Sequence, residues 1–385
     1  MQVVRFERRM LAHVPWPLIG VTLMIAIVGI WNLASAARPP MNPVWISQAA
    51  YLGLGLVVMA AICLVDYRLF YRLALPLFVL NVISLIALRF FGHTAKGAES
   101  WFNLGPVRVQ PAEFTKITVV LLLARYYHDT HRPHQPAYGL LRLLPPVAIV
   151  LVPAALILVQ PDLGTAMMLL LAAGTIILFG RVKLWIAGVL IAGLLAVTGV
   201  IWNDFVRAEG DAEATTVLRH HMKRHQQQRI TSWLDPESDV RGASYHAVQS
   251  MIAVGSGEVT GKGWRQGTQT GLSFLPEQHT DFIFSVWAEE QGFLACLGLL
   301  VLYGLLLVFS LGVAFLARDR FGAFVAVGVA ATIFWHVFQN IGMVIGILPV
   351  TGITLPLLSY GGSSMMSVMI SLGLLVNIGM RRHMF

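Results

Sequence analysis

Apolar residues run along this chain in blocks of about twenty, separated by short polar links, and that rhythm sets the first expectation. A helix needs about 20 mostly apolar residues to cross a bilayer. Such runs predict spans at Trp16–Ala36, Ile46–Val65, Leu73–Phe91, Pro111–Tyr127 and Leu143–Gln160. Further runs fall at Leu163–Gly180, Leu184–Trp202, Phe293–Ala317, Ala323–Leu348 and Gly352–Gly379. No alternation of strand period competes with them. Backbone groups in lipid must be satisfied within their own segment. The pattern therefore predicts an all-α, polytopic membrane bundle of about ten transmembrane helices. One long extracytoplasmic loop, about 203–291, separates spans 7 and 8, and residues 1–385 read as a single membrane domain.

Composition agrees. Hydrophobic residues make up 57% of the chain and charged ones only 12%, against about 25% charged in a soluble domain. A soluble globule with so little charge has no way to cover its surface. The formal charge of +8 fits loop bias and attraction to anionic headgroups, and no nucleic-acid partner is expected. Cys63 and Cys296 each lie in an apolar run and offer neither a disulfide framework nor a metal motif. Near the start, Arg5, Arg8 and Arg9 precede an apolar stretch, and Ala34-Ser35-Ala36 resembles a cleavage site. That stretch exceeds the roughly 7–15 residues of a signal h-region, so an uncleaved first span is expected.

The positive-inside rule orients the bundle. Arg68 and Arg72, Arg125, Arg132 and Arg142, Arg181 and Lys183, Arg318 and Arg320, and Arg381 and Arg382 fall with Arg5, Arg8 and Arg9 on one set of ends. Both termini are then cytoplasmic. The segment Gly92–Gln110, the link Gln160-Pro161-Asp162 and the long loop share the outer face.

Candidate chemistry concentrates on that face. Pro111 suits a first helical position, which puts Glu113 in the first turn and Lys116 one turn deeper. Glu113 reads either as an acid favoured by the helix dipole and paired to Lys at i+3, or as part of a site. Arg108, Gln110, Glu113 and Lys116 together favour the site, because polar groups entering the membrane boundary are costly. Two cations there suit a pyrophosphate. Asp162 opens the next outer helix, as a cap or as a site acid. Asp281, in Glu277-Gln278-His279-Thr280-Asp281, either caps a helix or acts as general base on a sugar hydroxyl. Glu289 and Glu290, two turns on, read as facing the same cavity or forming an outer helix face.

Other signals are weaker. Gly255-Ser256-Gly257 and Gly261-Lys262-Gly263 fail the phosphate-loop pattern, which needs Gly at 256 and Ser or Thr at 263; they read as flexible turns in a substrate-covering loop. His220, His221 and His225 have zinc-like spacing but no acidic ligand nearby and read as a solvated helix. His336, Gln339 and Asn340 read as interhelical hydrogen-bonding residues. Gly and Pro crowd the stretch Asn340–Ser364, where Pro349, Pro356, Ser359 and Gly361 are expected to wall a cavity, since broken helix survives in a membrane only when buried or lining one.

Taken in order, Lys96–Lys116, Gln160–Thr165, Leu234–Asp239, Phe274–Phe284 and Asn340–Ser364 resemble the SEDS family (shape, elongation, division and sporulation) over nearly the whole chain. Short tails favour its rod-shape members over the division members that share most of these motifs. The resemblance implies a ten-helix fold in the bacterial inner membrane and polymerisation of lipid II into glycan strands. It places the essential outer-loop acid on Asp281 and cavity positions on Trp101, Arg108, Gln110, Glu113, Lys116 and Asp162. The implied partners are lipid II, undecaprenyl-linked glycan, a class B penicillin-binding transpeptidase and the elongation machinery, and a divalent cation (Mg or Mn) is the one cofactor considered. The basic stretch 208–228 departs from the family in length and has no assigned role. Two other classes stay open on spans and charge alone: a lipid II flippase, which needs a cavity reachable from both faces, and a scaffold that only recruits the transpeptidase.

Overall fold

A computed structural model describes residues 12–37, 44–91, 93–95, 98–104, 107–131, 138–180, 244–272, 274–275 and 277–382, with scattered positions between 182 and 234. The predicted span Leu184–Trp202 lies mostly outside these residues. So do Lys96, the basic stretch 208–228 with its three histidines, and Asp235–Asp239.

The apolar blocks fold as helices: α1 (Trp16–Ala36), α2 (Val44–Leu64), α3 (Tyr67–Phe91), α4 (Pro111–Thr130), α5 (Leu140–Val159) and α6 (Leu163–Phe179). After them come α7 (Tyr245–Ser256), the single turn α8 (Thr268–Gly271), α9 (Ile283–Leu316), α10 (Arg320–Val344) and α11 (Gly362–Met380). Among the described residues, α1, α2, α3, α5, α9, α10 and α11 are long and apolar enough to cross a membrane. Side chains such as Phe315, 90% exposed, and Leu141, 83% exposed, project outward in a way only lipid tolerates in such numbers. A polytopic membrane helix bundle results. α10, α11 and α4 fill its middle: α4 packs on α3 and α10, α11 on α2, and α9 on α10 and α1. Burial on every side explains why α4 carries Glu113, Thr115, Lys116 and Thr118 without presenting them to lipid.

Three departures from the sequence pattern shape the site end of the bundle. First, the segment before α4 is a small antiparallel meander, β1 (His93–Ala95), β2 (Ala98–Leu104) and β3 (Val107–Val109), with Phe102 opposite Val109 and Asn103 opposite Arg108. Strands of three to seven residues are too short to register as a period in a helix-rich chain. The meander delivers Gln110 as the N-cap of α4 and Pro111 as its first residue.

Second, α9 starts ten residues before the predicted span. Its 34 residues include a break at Gly292, where φ is 74°, so the predicted start at Phe293 marks the membrane-crossing half. The break is satisfied from outside the helix. Lys262 and Gly263 N–H groups donate to the Glu289 and Glu290 carbonyls at 3.1 and 2.9 Å. In return the Phe293 and Leu294 N–H groups donate to the Glu258 and Val259 carbonyls at 2.9 and 3.2 Å. Gly261, at φ 79°, and Gly292 pass so close that a Cβ on either would collide with the opposing backbone. Gly257 and Gly261 therefore serve close packing, while Gly255 has open space around it. Glu289 is fully buried within this joint. It accepts from Lys262 Nζ at 2.8 Å and from the Gln269 and Thr270 N–H groups at 2.9 and 3.2 Å. Glu290, 1% exposed, accepts from Ser35 Oγ at 2.6 Å. Neither acid faces the cavity or forms an outer face. Glu289 pins the glycine loop to α9, and Glu290 pins α9 to α1.

Third, the predicted last span begins at Gly352, but α11 begins only at Gly362. Residues 351–361 enter the bundle without helix, and side chains from three helices satisfy their backbone, the condition for irregular chain at membrane depth. Asn340 Nδ2 donates to the Ile353 carbonyl at 2.6 Å, Tyr303 Oη to Pro356 at 2.6 Å and Gln48 Nε2 to Ser359 at 2.9 Å. Gln48 Oε1 also accepts from the Gly361 N–H at 3.2 Å.

Candidate functional site

A cavity of about 280 Å³ opens where α4, α6 and α11 begin and α10 ends. Each helix contributes from its half nearest the cavity, so residues distant in sequence meet. Trp101, Gln110, Glu113, Lys116, Asp162 and Asp281 all line it, as does Gly361.

Asp281 sits on the turn before α9. Asn340 Nδ2 holds its carbonyl at 2.8 Å and bonds the Ile353 carbonyl as well, so one buried amide ties the acid to the re-entrant segment. Opposite stands Gly352, at φ 75°, where a Cβ would lie 3.3 Å from Asp281 Oδ2. Backbone conformation and space both favour glycine there. Asp162 is the cap its sequence position predicts and also borders the cavity. It caps α6, accepting from the Thr165 N–H at 3.0 Å and its hydroxyl at 2.8 Å. It also faces the cavity, with Gln110 Nε2 at 3.3 Å.

Glu113 and Lys116 form an ion pair at 2.8 Å with side chains 10% and 5% exposed. Ser367 Oγ donates to the same Glu113 oxygen at 2.9 Å, and His336 Nε2 lies 2.9 Å from Lys116 Nζ. Glu113 thus pairs with Lys116 at i+3, as one reading of its helix position predicts, and both residues border the cavity.

Several expectations change. Arg108 lies exposed on β3, and its side chain is not part of the cavity wall; its carbonyl accepts from Ser363 Oγ at 3.1 Å. A strand alternates its side chains, so with Val109 turned toward the α3–α4 groove, Arg108 turns to the rim. The cation that does join Lys116 on the wall is Arg229, whose Nη1 reaches the Thr351 carbonyl at 3.4 Å. Nothing in its polar stretch singled it out. Of the residues expected to wall the cavity, Gly361 does so, Pro356 lines a small adjoining cavity with Glu113, Lys116 and His336, and Pro349 and Ser359 are not on the wall. Ser359 accepts from the Leu355 N–H at 2.7 Å and donates to the Thr280 carbonyl at 2.6 Å, supporting the turn that carries Asp281. His336 belongs to the wall, beyond the interhelical role expected of it, as do Thr280, Thr354, Tyr360 and Ser364. Its position late in α10, among other polar residues, was the available signal.

Among the described residues no three His, Cys, Asp or Glu side chains come together as a ready-made metal site. Mg²⁺ commonly binds through one or two carboxylates and a substrate's phosphates, and Asp281 on the cavity wall suits that mode.

A cavity that offers an acid, two cations and an indole face suits a charged, sugar-bearing substrate. Known proteins agree with that. The Escherichia coli (strain K12) peptidoglycan glycosyltransferase MrdB is 41% identical over 335 residues, covering 86% of this chain and 85% of its own. The Treponema pallidum peptidoglycan glycosyltransferase RodA is 33% identical, covering 88% and 90%. Among solved structures, a chain of a peptidoglycan synthase complex that coordinates polymerization and crosslinking superposes with TM-score 0.78 at 31% identity, covering 96% of this chain and 98% of its own. The Thermus thermophilus rod shape determining protein RodA gives 0.70 at 28% identity over the same shares. The model of the cell cycle protein family of FtsW, RodA and SpoVE matches residues 9–384, and the chain belongs to that family.

Proposed function

We propose that this chain is a peptidoglycan glycosyltransferase of the rod-shape type, polymerising lipid II into glycan strands on the outer face of the bacterial inner membrane. The observation that carries the reading is the meeting of Asp281 with Lys116 and Arg229 on the walls of one cavity. The 41% identity to a named peptidoglycan glycosyltransferase supports the reaction class.

That arrangement supports the following reaction. Asp281 takes the proton from the 4-hydroxyl of the N-acetylglucosamine of an incoming lipid II. The oxygen attacks the anomeric carbon of the N-acetylmuramic acid that ends the growing strand. The bond from that carbon to the pyrophosphate oxygen breaks, and undecaprenyl pyrophosphate departs. Lys116 and Arg229 stabilise the charge gathering on the leaving group, in a site where preformed cations need little reorganisation. Trp101 offers an aromatic face to a sugar ring. A divalent cation would be held by Asp281 with the substrate's own phosphates, and would neutralise part of the same charge.

Sidedness follows from charge. Arg68, Arg72, Arg125, Arg142, Arg318, Arg320, Arg381 and Arg382 cluster where α3, α5 and α10 begin and α4, α9 and α11 end. The cavity occupies the opposite end. By the positive-inside rule the arginine-rich end is cytoplasmic, with both termini, and the cavity faces outward. The solved relative from a polymerising and crosslinking complex supports a class B penicillin-binding transpeptidase as partner, with the elongation machinery around it.

Purified chain given lipid II yields glycan polymer on a gel, and no product with or without the transpeptidase sinks the enzyme reading. In the same assay Arg229→Ala lowers turnover by about a hundredfold, the scale of losing one transition-state donor. Arg108→Ala changes it far less. The reverse order returns the phosphate role to the strand.

A further inference from the structure

We infer that His336 is a positioning residue: neutral and protonated on Nδ1, it accepts a hydrogen bond from Lys116 through its bare Nε2 and turns that ammonium's remaining N–H into the cavity. The inference rests on the reading of Lys116 as a cation for the leaving pyrophosphate.

The argument starts from a backbone carbonyl. His336 Nδ1 lies 2.7 Å from the Thr332 carbonyl, one turn earlier in α10. A carbonyl only accepts, so Nδ1 carries the hydrogen. A neutral imidazole has a single N–H, which leaves Nε2 with its lone pair. Facing that lone pair at 2.9 Å is Lys116 Nζ, a group with three donors and, as ammonium, no acceptor. Glu113 Oε2 takes a second donor at 2.8 Å, and Ser367 Oγ fixes that carboxylate at 2.9 Å. An ammonium on a flexible four-carbon stem otherwise rotates and swings. Two acceptors anchored on α10 and α4 leave one N–H, and Lys116 borders the cavity. His336 is 5% exposed and Lys116 4%, so water does not readily substitute for either acceptor.

A residue that merely fills space is replaceable by leucine, whereas one that orients a cation is replaceable only by another acceptor. His336→Leu and His336→Gln separate these roles, because a glutamine side-chain oxygen reaches about where Nε2 stood. On purified full-length protein with lipid II, His336→Leu lowers kcat about a hundredfold, the cost of misplacing a reacting partner by about an ångström. KM changes little, and His336→Gln restores most of the rate. Independently, ¹⁵N NMR of histidine-labelled protein in nanodiscs, with the His336→Gln spectrum subtracted to assign one of the 12 histidines, shows Nδ1 protonated and Nε2 bare. The proposal fails if the leucine variant keeps wild-type kcat, if glutamine is no better than leucine, or if Nε2 carries the proton. Lys116→Met is run alongside. Loss there with a fully active His336→Leu removes only the role of the histidine. Full activity in Lys116→Met removes the phosphate reading itself, and this inference with it. The NMR readout decides the tautomer even where the leucine variant does not fold.

Discussion

Asp281→Asn leaves a folded protein that forms glycan polymer about 10²- to 10⁴-fold more slowly, the usual contribution of a positioned general base. Asparagine keeps the shape of the side chain and loses its basicity. The hydrogen bond from Asn340 goes to the Asp281 main-chain carbonyl, so it survives the change, and the turn before α9 stays tied to Ile353. Loss of activity is therefore expected without loss of fold, and the two are measured separately: polymer length and rate on a gel with lipid II, and thermal unfolding in detergent. Wild-type turnover in the asparagine variant ends the assignment of Asp281 as base. A scaffold that only recruits a transpeptidase predicts that outcome.

The second large effect concerns stability and activity together. Glu113→Gln leaves Lys116 in a site where the pair's side chains were 10% and 5% exposed, with the charge no longer matched. Removing one partner of a buried ion pair costs about 3–5 kcal/mol, because the remaining charge is desolvated and uncompensated. Replacing both partners by apolar residues of similar size is often close to neutral. So Glu113→Leu combined with Lys116→Met unfolds near the wild-type temperature, whereas Glu113→Gln alone unfolds well below it. Polymerisation does not return with stability, because the double variant has lost the cavity cation. A single variant as stable as the wild type refutes the buried-pair account. A double variant that polymerises lipid II refutes the role of Lys116 in the reaction.

Much of the architecture was written in the order of residues. Lipid imposes one dominant rule, that a spanning segment be long, apolar and internally hydrogen-bonded, and runs such as Trp16–Ala36 declare themselves under it. Asp281, Glu113, Lys116, Gln110 and Asp162, which line the cavity, stood out because a polar group at the membrane boundary is costly enough to need a reason, and Trp101 came only with the family likeness. Family likeness added the reaction. What the order of residues left open is what depends on side chains meeting across helices. Arg229 and Arg108 are both arginines in polar surroundings; only the folded chain puts one on the cavity wall and leaves the other at the rim. Glu289 looked like a site acid or a surface acid, and is instead a joint between α9 and the glycine loop, since its partners Lys262, Gln269 and Thr270 lie 27, 20 and 19 residues away. The start of α11 at Gly362 rather than Gly352 has the same cause: local apolarity allows helix there, but Asn340, Tyr303 and Gln48 supply hydrogen bonds that let the chain enter the bundle unwound. Hydrophobic length is a property of neighbours in sequence, and a hydrogen-bond partner is a property of neighbours in space.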